Sequence, residues 1–418
     1  MTTSAEPLAS PPPGALGRAM VLLGDAQLVA GAVLTLLAFA AYWITGSETP
    51  GGDSFVPLAD AFVHGRLSIP IDRPWLELVP APDGGVYSPF PPVPAVLITP
   101  VVALMGERTF GDELSSNLTC AVIGAANVAL AYWLLGRVGV GFRPRQLLTV
   151  AFAFTTHWWV AGMAGTHHYA QVVAVFFMLL ALHVGIGRSW PVLAGLLLGL
   201  AAGSRLPTGF ALPLFAAFYA RGSWRPTRAH LWLLAGLALP ALAIAWYNVA
   251  RFGSPFDFGY GLIPSGEDGL VTDEPWFRHG LVSPLYIPRH LYAIFLQSFE
   301  WVDVAPFLRP NLTGLALSLS APWVFWSARA WSVRDVQPLV PVAMASAIGV
   351  LAPDVMHGSW GFAQFGYRFA LDAVPILILL LGWTYRARAT WSLTAAVLLG
   401  VVVHAYGIYV INILEFVP

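Results

Sequence analysis

The chain contains no lysine; all 21 of its basic residues are arginine. It has a single cysteine, Cys120, so no internal disulfide can form. Charge of either sign is scarce, at 10% of 418 residues. That is too little to clothe a soluble domain of this size. No HExxH helix and no Asp-x-Asp pair occur, and no glycine-rich loop follows a strand pattern. These absences argue against a zinc-protease helix and a nucleotide-phosphate cradle. No basic patch of the kind that binds nucleic acid is present either. What remains is apolar: 57% of residues are hydrophobic, and mean hydropathy is +0.69. The chain is therefore an all-α polytopic integral membrane protein.

Charge sorting gives an orientation. Short loops that carry arginine mark the cytoplasmic side. Twelve of the 21 arginines lie in such loops: Arg18, Arg137, Arg143, Arg145, Arg188, Arg221, Arg225, Arg228, Arg329, Arg334, Arg386 and Arg388. Only three of the 22 acids, Glu6, Asp25 and Asp335, accompany them. This predicts about eleven spans, near 26–45, 114–136, 146–165, 169–187, 190–203, 207–220, 229–249, 306–328, 336–353, 370–385 and 391–413. The N-terminus is placed inside and the C-terminus outside. Residues 1–25 form a cytoplasmic tail, and the run from Gln27 to Ile44 is too long for a signal-peptide core, so it reads as a retained anchor. The outer side carries long loops at 46–113 and 250–305 and a shorter one at 354–369. Neither an internal repeat nor a soluble C-terminal domain is expected, so the chain is a single transmembrane domain over 1–418.

Two stretches depart from plain spans. "PPVPAVLITPVVALMG" (91–106) has too few apolar residues for a crossing of about 20 and contains Pro100. It reads as a short helix in the outer interface. "PVLAGLLLGLAAGSRLPTGFALPLFAAFYA" (191–220) is flanked by arginine on both sides, so it crosses an even number of times. Each of its arms reaches only about 21 Å at 1.5 Å per residue, short of the ~30 Å core. It is a hairpin of two short helices with Arg205 at a tip inside the membrane. Irregular backbone at that depth lines a cavity or is buried in protein. An intramembrane arginine marks a site, or else it pairs with a buried carbonyl or acid.

In the first long loop, Phe55, Leu58, Ala59, Phe62 and Val63 follow helical spacing. This predicts an amphipathic helix on the outer face, capped by Asp53 or Ser54. Asp53, Asp60 and His64 fall on its polar side, as a cap and a solvated face or as site residues. In the second loop, "SGEDGLVTDEPWFRHG" is acidic and aromatic, and Glu300 and Asp303 stand just before a span. Together with Tyr87 these suit an acceptor groove, although tryptophans such as Trp276, Trp301 and Trp360 equally suit an interface belt.

A first span, an acid heading an outer amphipathic helix, and then "YSPFPPVPAVL" resemble the GT-C superfamily of membrane glycosyltransferases. The similarity is to its family 39-like members, aminoarabinose transferases and protein O-mannosyltransferases. It continues through "GTHHYAQVVAVFFMLLALHVG", "LLLGLAAGSRLPTGFALPLF", "YNVARFGSPFDFGY" and "FGYRFALDAVPILILLLGW". The resemblance implies the GT-C fold and transfer of a sugar from a polyprenyl-phosphate donor to a glycan, lipid or protein acceptor. Transfer would be inverting, at the outer face of the cytoplasmic membrane. It implies Asp53, or Asp60, as catalytic base. Arg205, Arg368 and Arg251 become candidates for the donor phosphate, because a guanidinium fork binds phosphate oxygens in pairs. His167 and His168 sit where relatives carry an acid, and this chain has Gln171 there. They contact substrate or cap the turn. A divalent metal held by His64, His167, His168 or His357 with a carboxylate is possible, but no metal ligand set is assigned. The competing class is a transporter or flippase of a lipid-linked sugar. Such proteins usually show repeated halves with matching broken helices, and only one broken hairpin is seen here.

Overall fold

The computed structural model describes residues 15–46, 53–70, 77–106, 116–163, 165–220, 225–265, 269–311, 313–361 and 364–416. The proline-rich segment at 1–14 and Arg221 lie outside the described residues, as do parts of the first long loop.

Helices dominate because apolar runs without a partner strand must satisfy their backbone internally. Five are long and apolar enough to cross a membrane: Asp25–Ile44, Asn117–Arg137, Thr166–Ile186, Arg228–Phe252 and Trp391–Ile413. Shorter apolar helices fill in between them: Val93–Met105, Pro191–Ala202, Leu206–Tyr219, Val340–Val355 and Val374–Thr384. The only strands among the described residues are three two-residue hairpin pairs in the loops. The core runs through the bundle, and the Val374–Thr384 helix is buried over most of its length.

The interrupted hairpin is present as two helices, Pro191–Ala202 and Leu212–Tyr219, joined through a 3₁₀ turn at Leu206–Ala211. Arg205 takes an extended backbone (φ −145°, ψ 108°) immediately before that turn. Thr208 fastens the bend: its amide and hydroxyl both donate to the Arg205 carbonyl, at 3.1 and 2.8 Å. Pro207 sits inside the turn. Gly195, Gly199 and Gly203 line one stripe of the first arm. A Cβ at Gly195 would strike the Leu233 carbonyl, and one at Gly236 would strike the Val192 carbonyl. This pairing lets the arm and the Arg228–Phe252 helix approach backbone to backbone, as small residues spaced four apart permit in membranes.

The short helix at Val93–Met105 and the amphipathic helix at Phe55–Val63 stand where the spacing puts them. Two expected spans differ in shape. The 146–165 segment is broken into Phe142–Ala153 and Thr156–Gly162. At the break, the Thr155 hydroxyl donates to the Ala151 carbonyl at 2.7 Å and accepts the Trp323 indole N–H at 3.2 Å. His157 then meets the Tyr42 hydroxyl at 3.1 Å and Asn127 at 3.3 Å. The 306–328 segment is not one helix. Its described residues before Leu317 are irregular apart from a two-residue strand at Leu308–Arg309; a single turn at Leu317–Ser320 and a 3₁₀ run at Pro322–Ser332 follow. Pro322 forces the change, since it cannot continue the preceding α-turn.

Candidate functional site

The hairpin tip meets the third loop in a buried polar chamber. Arg205 reaches two carboxylates there. Its Nη2 lies 3.1 Å from Asp354 Oδ1 and 2.8 Å from Asp372 Oδ2, and its Nε donates to the same Asp372 oxygen at 2.9 Å. Asp354 follows Pro353 in the last turn of the Val340–Val355 helix. Asp372 closes a 3₁₀ turn at Arg368–Asp372. All three side chains are largely buried, and Arg205 also packs over the Phe369 ring. A lone arginine in an apolar hairpin is thus matched by two acids, and its fork is occupied.

Arg368 differs. It is 5% exposed and lies over the same Phe369 ring, at 4.8 Å. Yet its Nε and Nη1 have no hydrogen-bond partner among the described residues. Arg205, Glu77, Asp372 and Asp354 lie within electrostatic reach. Its backbone is fixed instead: the Gln171 side-chain amide donates to the Arg368 carbonyl at 3.0 Å. Buried beside it, His168 Nε2 and Gln171 Oε1 are likewise without partners. A buried polar group without a partner is rare enough to require a reason, such as a ligand or ordered water.

The chamber's opposite wall comes from the first loop. The Glu77 carboxylate meets His167 Nε2 at 3.0 Å, and Phe90 packs edge-on to the His167 ring at 4.8 Å. Burial alone would raise the Glu77 carboxyl. The charge and hydrogen bond of His167, backed by Arg368 and His357, hold it below the usual carboxylate range. Glu77 also takes a left-handed backbone, φ 56°. His357 completes this side, with its imidazole pushed down chiefly by burial.

Asp53 stands near the start of the same wall. It caps the amphipathic helix, its carboxylate accepting the Phe55 amide at 2.8 Å and the Val56 amide at 3.4 Å. The next residue ties the cap to the chamber: the Ser54 amide donates to the Thr166 hydroxyl at 2.8 Å, one residue before His167.

No protein-family model matches the sequence, and no curated protein matches it. Solved structures do resemble it. The apo oligosaccharyltransferase of Archaeoglobus fulgidus superposes with a TM-score of 0.52 at 13% identity. The alignment covers 92% of this chain and 55% of that one. The chain therefore has the GT-C fold. The archaeal oligosaccharyltransferase AglB from the same organism, with an inhibitory peptide and a dolichol-phosphate, gives a TM-score of 0.43 at 13% identity, over 93% of this chain and 55% of that one. The S. cerevisiae protein O-mannosyltransferase Pmt1–Pmt2 complex, bound to its sugar donor, gives 0.37 at 15% identity, over 55% and 34%. This chain thus spans about half the length of the archaeal structures, or less for the yeast one.

Within this GT-C fold the other candidates scatter. Asp60 is paired on the helix surface with His64 at 3.4 Å and Arg66 at 3.7 Å. Arg251 is buried but occupied, bonded to the carbonyls of Ser88 and Tyr247 and to Asn248, and stacked over Tyr247 at 3.6 Å. Tyr87 lies beside Arg251, its ring 5.8 Å from the guanidinium carbon. Glu300 pairs with Arg309 at 2.9 Å, and Asp303 is exposed. Among the described residues, no three His, Cys, Asp or Glu side chains cluster as metal ligands would. Sequence reasoning missed Glu77, Asp354 and Asp372. Asp354 and Asp372 had a signal: each is a solitary acid in an apolar run, "GVLAPDV" and "FALDAVP". Glu77 had none.

Proposed function

We propose that the chain is a membrane glycosyltransferase whose donor is a polyprenyl-phosphate sugar. The observation that carries this reading is Arg368, a buried guanidinium whose Nε and Nη1 have no hydrogen-bond partner among the described residues and which, unlike Arg205, forms no ion pair there. An anion fits that need, and phosphate oxygens accept strongly from guanidinium N–H groups. The phosphate role therefore moves from Arg205 to Arg368. Arg205, held by Asp354 and Asp372, fixes the 3₁₀ turn that presents Arg368. His168 Nε2 stands ready as a further contact.

Asp53 is the base in this reading. The acceptor hydroxyl attacks the sugar's anomeric carbon as Asp53 takes its proton. The bond from that carbon to the phosphate oxygen breaks, and its electron pair leaves with the lipid phosphate beside Arg368. A single displacement of this kind inverts the anomeric centre. In this reading the cluster lies at the outer face of the cytoplasmic membrane, because arginine-bearing loops are expected on the opposite side. The acceptor is a glycan, lipid or protein reaching the chamber past the second loop.

The test is incorporation of labelled sugar from a synthetic polyprenyl-phosphate donor into membranes carrying the wild type, Asp53→Asn or Arg368→Ala. Asparagine keeps the helix cap but cannot take a proton. Asp53→Asn should lose about 10²- to 10⁴-fold in rate, the usual range for a general base, while donor binding survives. Normal incorporation by both variants would remove the proposed roles.

A further inference from the structure

A second polar feature lies at the other end of the bundle. The Thr166–Ile186 helix runs from the chamber histidines to Gly187, about 30 Å at 1.5 Å per residue. At that far end is an open cavity of about 560 Å³, whose lining includes Arg137, Arg188, Arg386, Phe218, Leu339 and Trp383. Three arginines from three separate loops converge on one apolar-walled hollow. We propose that this cavity is a binding site for an anionic phospholipid, with the headgroup phosphate among the arginines and an acyl chain against Val138, Ile186 and Leu339.

The local structure assembles this charge rather than dispersing it. Arg137 lies across Gly187, where any Cβ would meet its Nη2, so its guanidinium is brought beside the Arg188 segment. Arg188 and Trp190 both take left-handed backbone, φ 53° and 56°. Non-glycine residues held there cost free energy, and such outliers concentrate at functional sites. Among the described residues, no acid forms an ion pair with Arg137 or Arg188. Arg386 pairs with Asp335 through Nη1, while its Nε is buried without a partner. Three arginines answered by one acid leave net positive charge at the cavity, and such charge favours an anion. Half-buried aliphatic walls at Val138, Ile186 and Leu339 call for one that carries a chain. Trp190, 74% exposed at the same turn, suits the membrane–water interface. Basic pockets between helices on the side marked by arginine loops are a known setting for anionic headgroups.

The test is native mass spectrometry of the purified full chain in mild detergent, titrated with phosphatidylglycerol or phosphatidylcholine. The variants are Arg137→Gln/Arg188→Gln and, as control, Arg143→Gln on the exposed surface of the same loop. The wild type should retain phosphatidylglycerol over phosphatidylcholine, and the preference should fall with added salt. Two arginines at about fivefold each predict about twenty-five-fold weaker phosphatidylglycerol binding in the double variant, with phosphatidylcholine unchanged and the control like wild type. Equal retention of the two lipids by the wild type, or no salt effect, would overturn the proposal without needing any variant. Displacement of phosphatidylglycerol by millimolar inorganic phosphate would also overturn it, in favour of a free-anion site. None of these outcomes depends on glycosyl transfer.

Discussion

Two largely buried arginines, Arg205 and Arg368, illustrate how the same side chain serves opposite ends. Arg205 is held by Asp354 and Asp372. Removing one partner of a buried ionic group strands the rest, at about 3–5 kcal/mol. Arg205→Ala should therefore lower the thermal midpoint in detergent sharply. Arg368 has unpartnered N–H groups, so Arg368→Leu should leave the midpoint unchanged or raise it while abolishing donor binding, the trade expected of a functional residue. Glu77 gives a pH prediction. Its folded pKa lies below the ordinary value. Its contribution is thus complete above about pH 4.5 and is lost as pH falls through the lower folded value. The midpoint difference between wild type and Glu77→Gln should be present near pH 7 and shrink as pH falls below the ordinary carboxylate value. The arginine was legible in the sequence because charge in an apolar run stands out. Its partners were not, because Asp354 and Asp372 lie 149 and 167 residues away and no local pattern encodes that closure.

At the scale of elements, the hairpin is the part most tightly specified. Gly195 and Gly236 face each other's backbones across the crossing with the Arg228–Phe252 helix. Gly195→Ala or Gly236→Ala should push the helices apart and cost about 1–3 kcal/mol as overpacking, read as a lowered midpoint in detergent. The arms, the break at Ser204–Pro207 and the amphipathic helix behind Asp53 were legible, since hydropathy, proline and cap residues each leave a local mark. The broken helix at Thr155 and the 3₁₀ run at Pro322–Ser332 were not. Hydropathy averages over a window and cannot tell an α-helix from a tighter winding. The Thr155 break also depends on Trp323, far off in sequence.

For the whole molecule, scarcity of charge gave the class, a signal summed over many residues that survives errors at any one of them. Arginine placement gives an expected orientation, which cysteine-accessibility mapping of the arginine-bearing loops tests. The site depends instead on a few contacts among the first loop, the turn before the Thr166–Ile186 helix and the third loop, and only folding brings these together. The central claim is that this meeting point holds a lipid phosphate on Arg368. The most direct measurement is mass spectrometry of lipids co-purified with the wild type, Arg368→Leu and Arg251→Leu. The account predicts a polyprenyl phosphate, free or glycosylated, in the wild type and in Arg251→Leu, and its loss in a folded Arg368→Leu. Equal recovery of that lipid from Arg368→Leu, or its absence from the wild type even after synthetic donor is added, would contradict it.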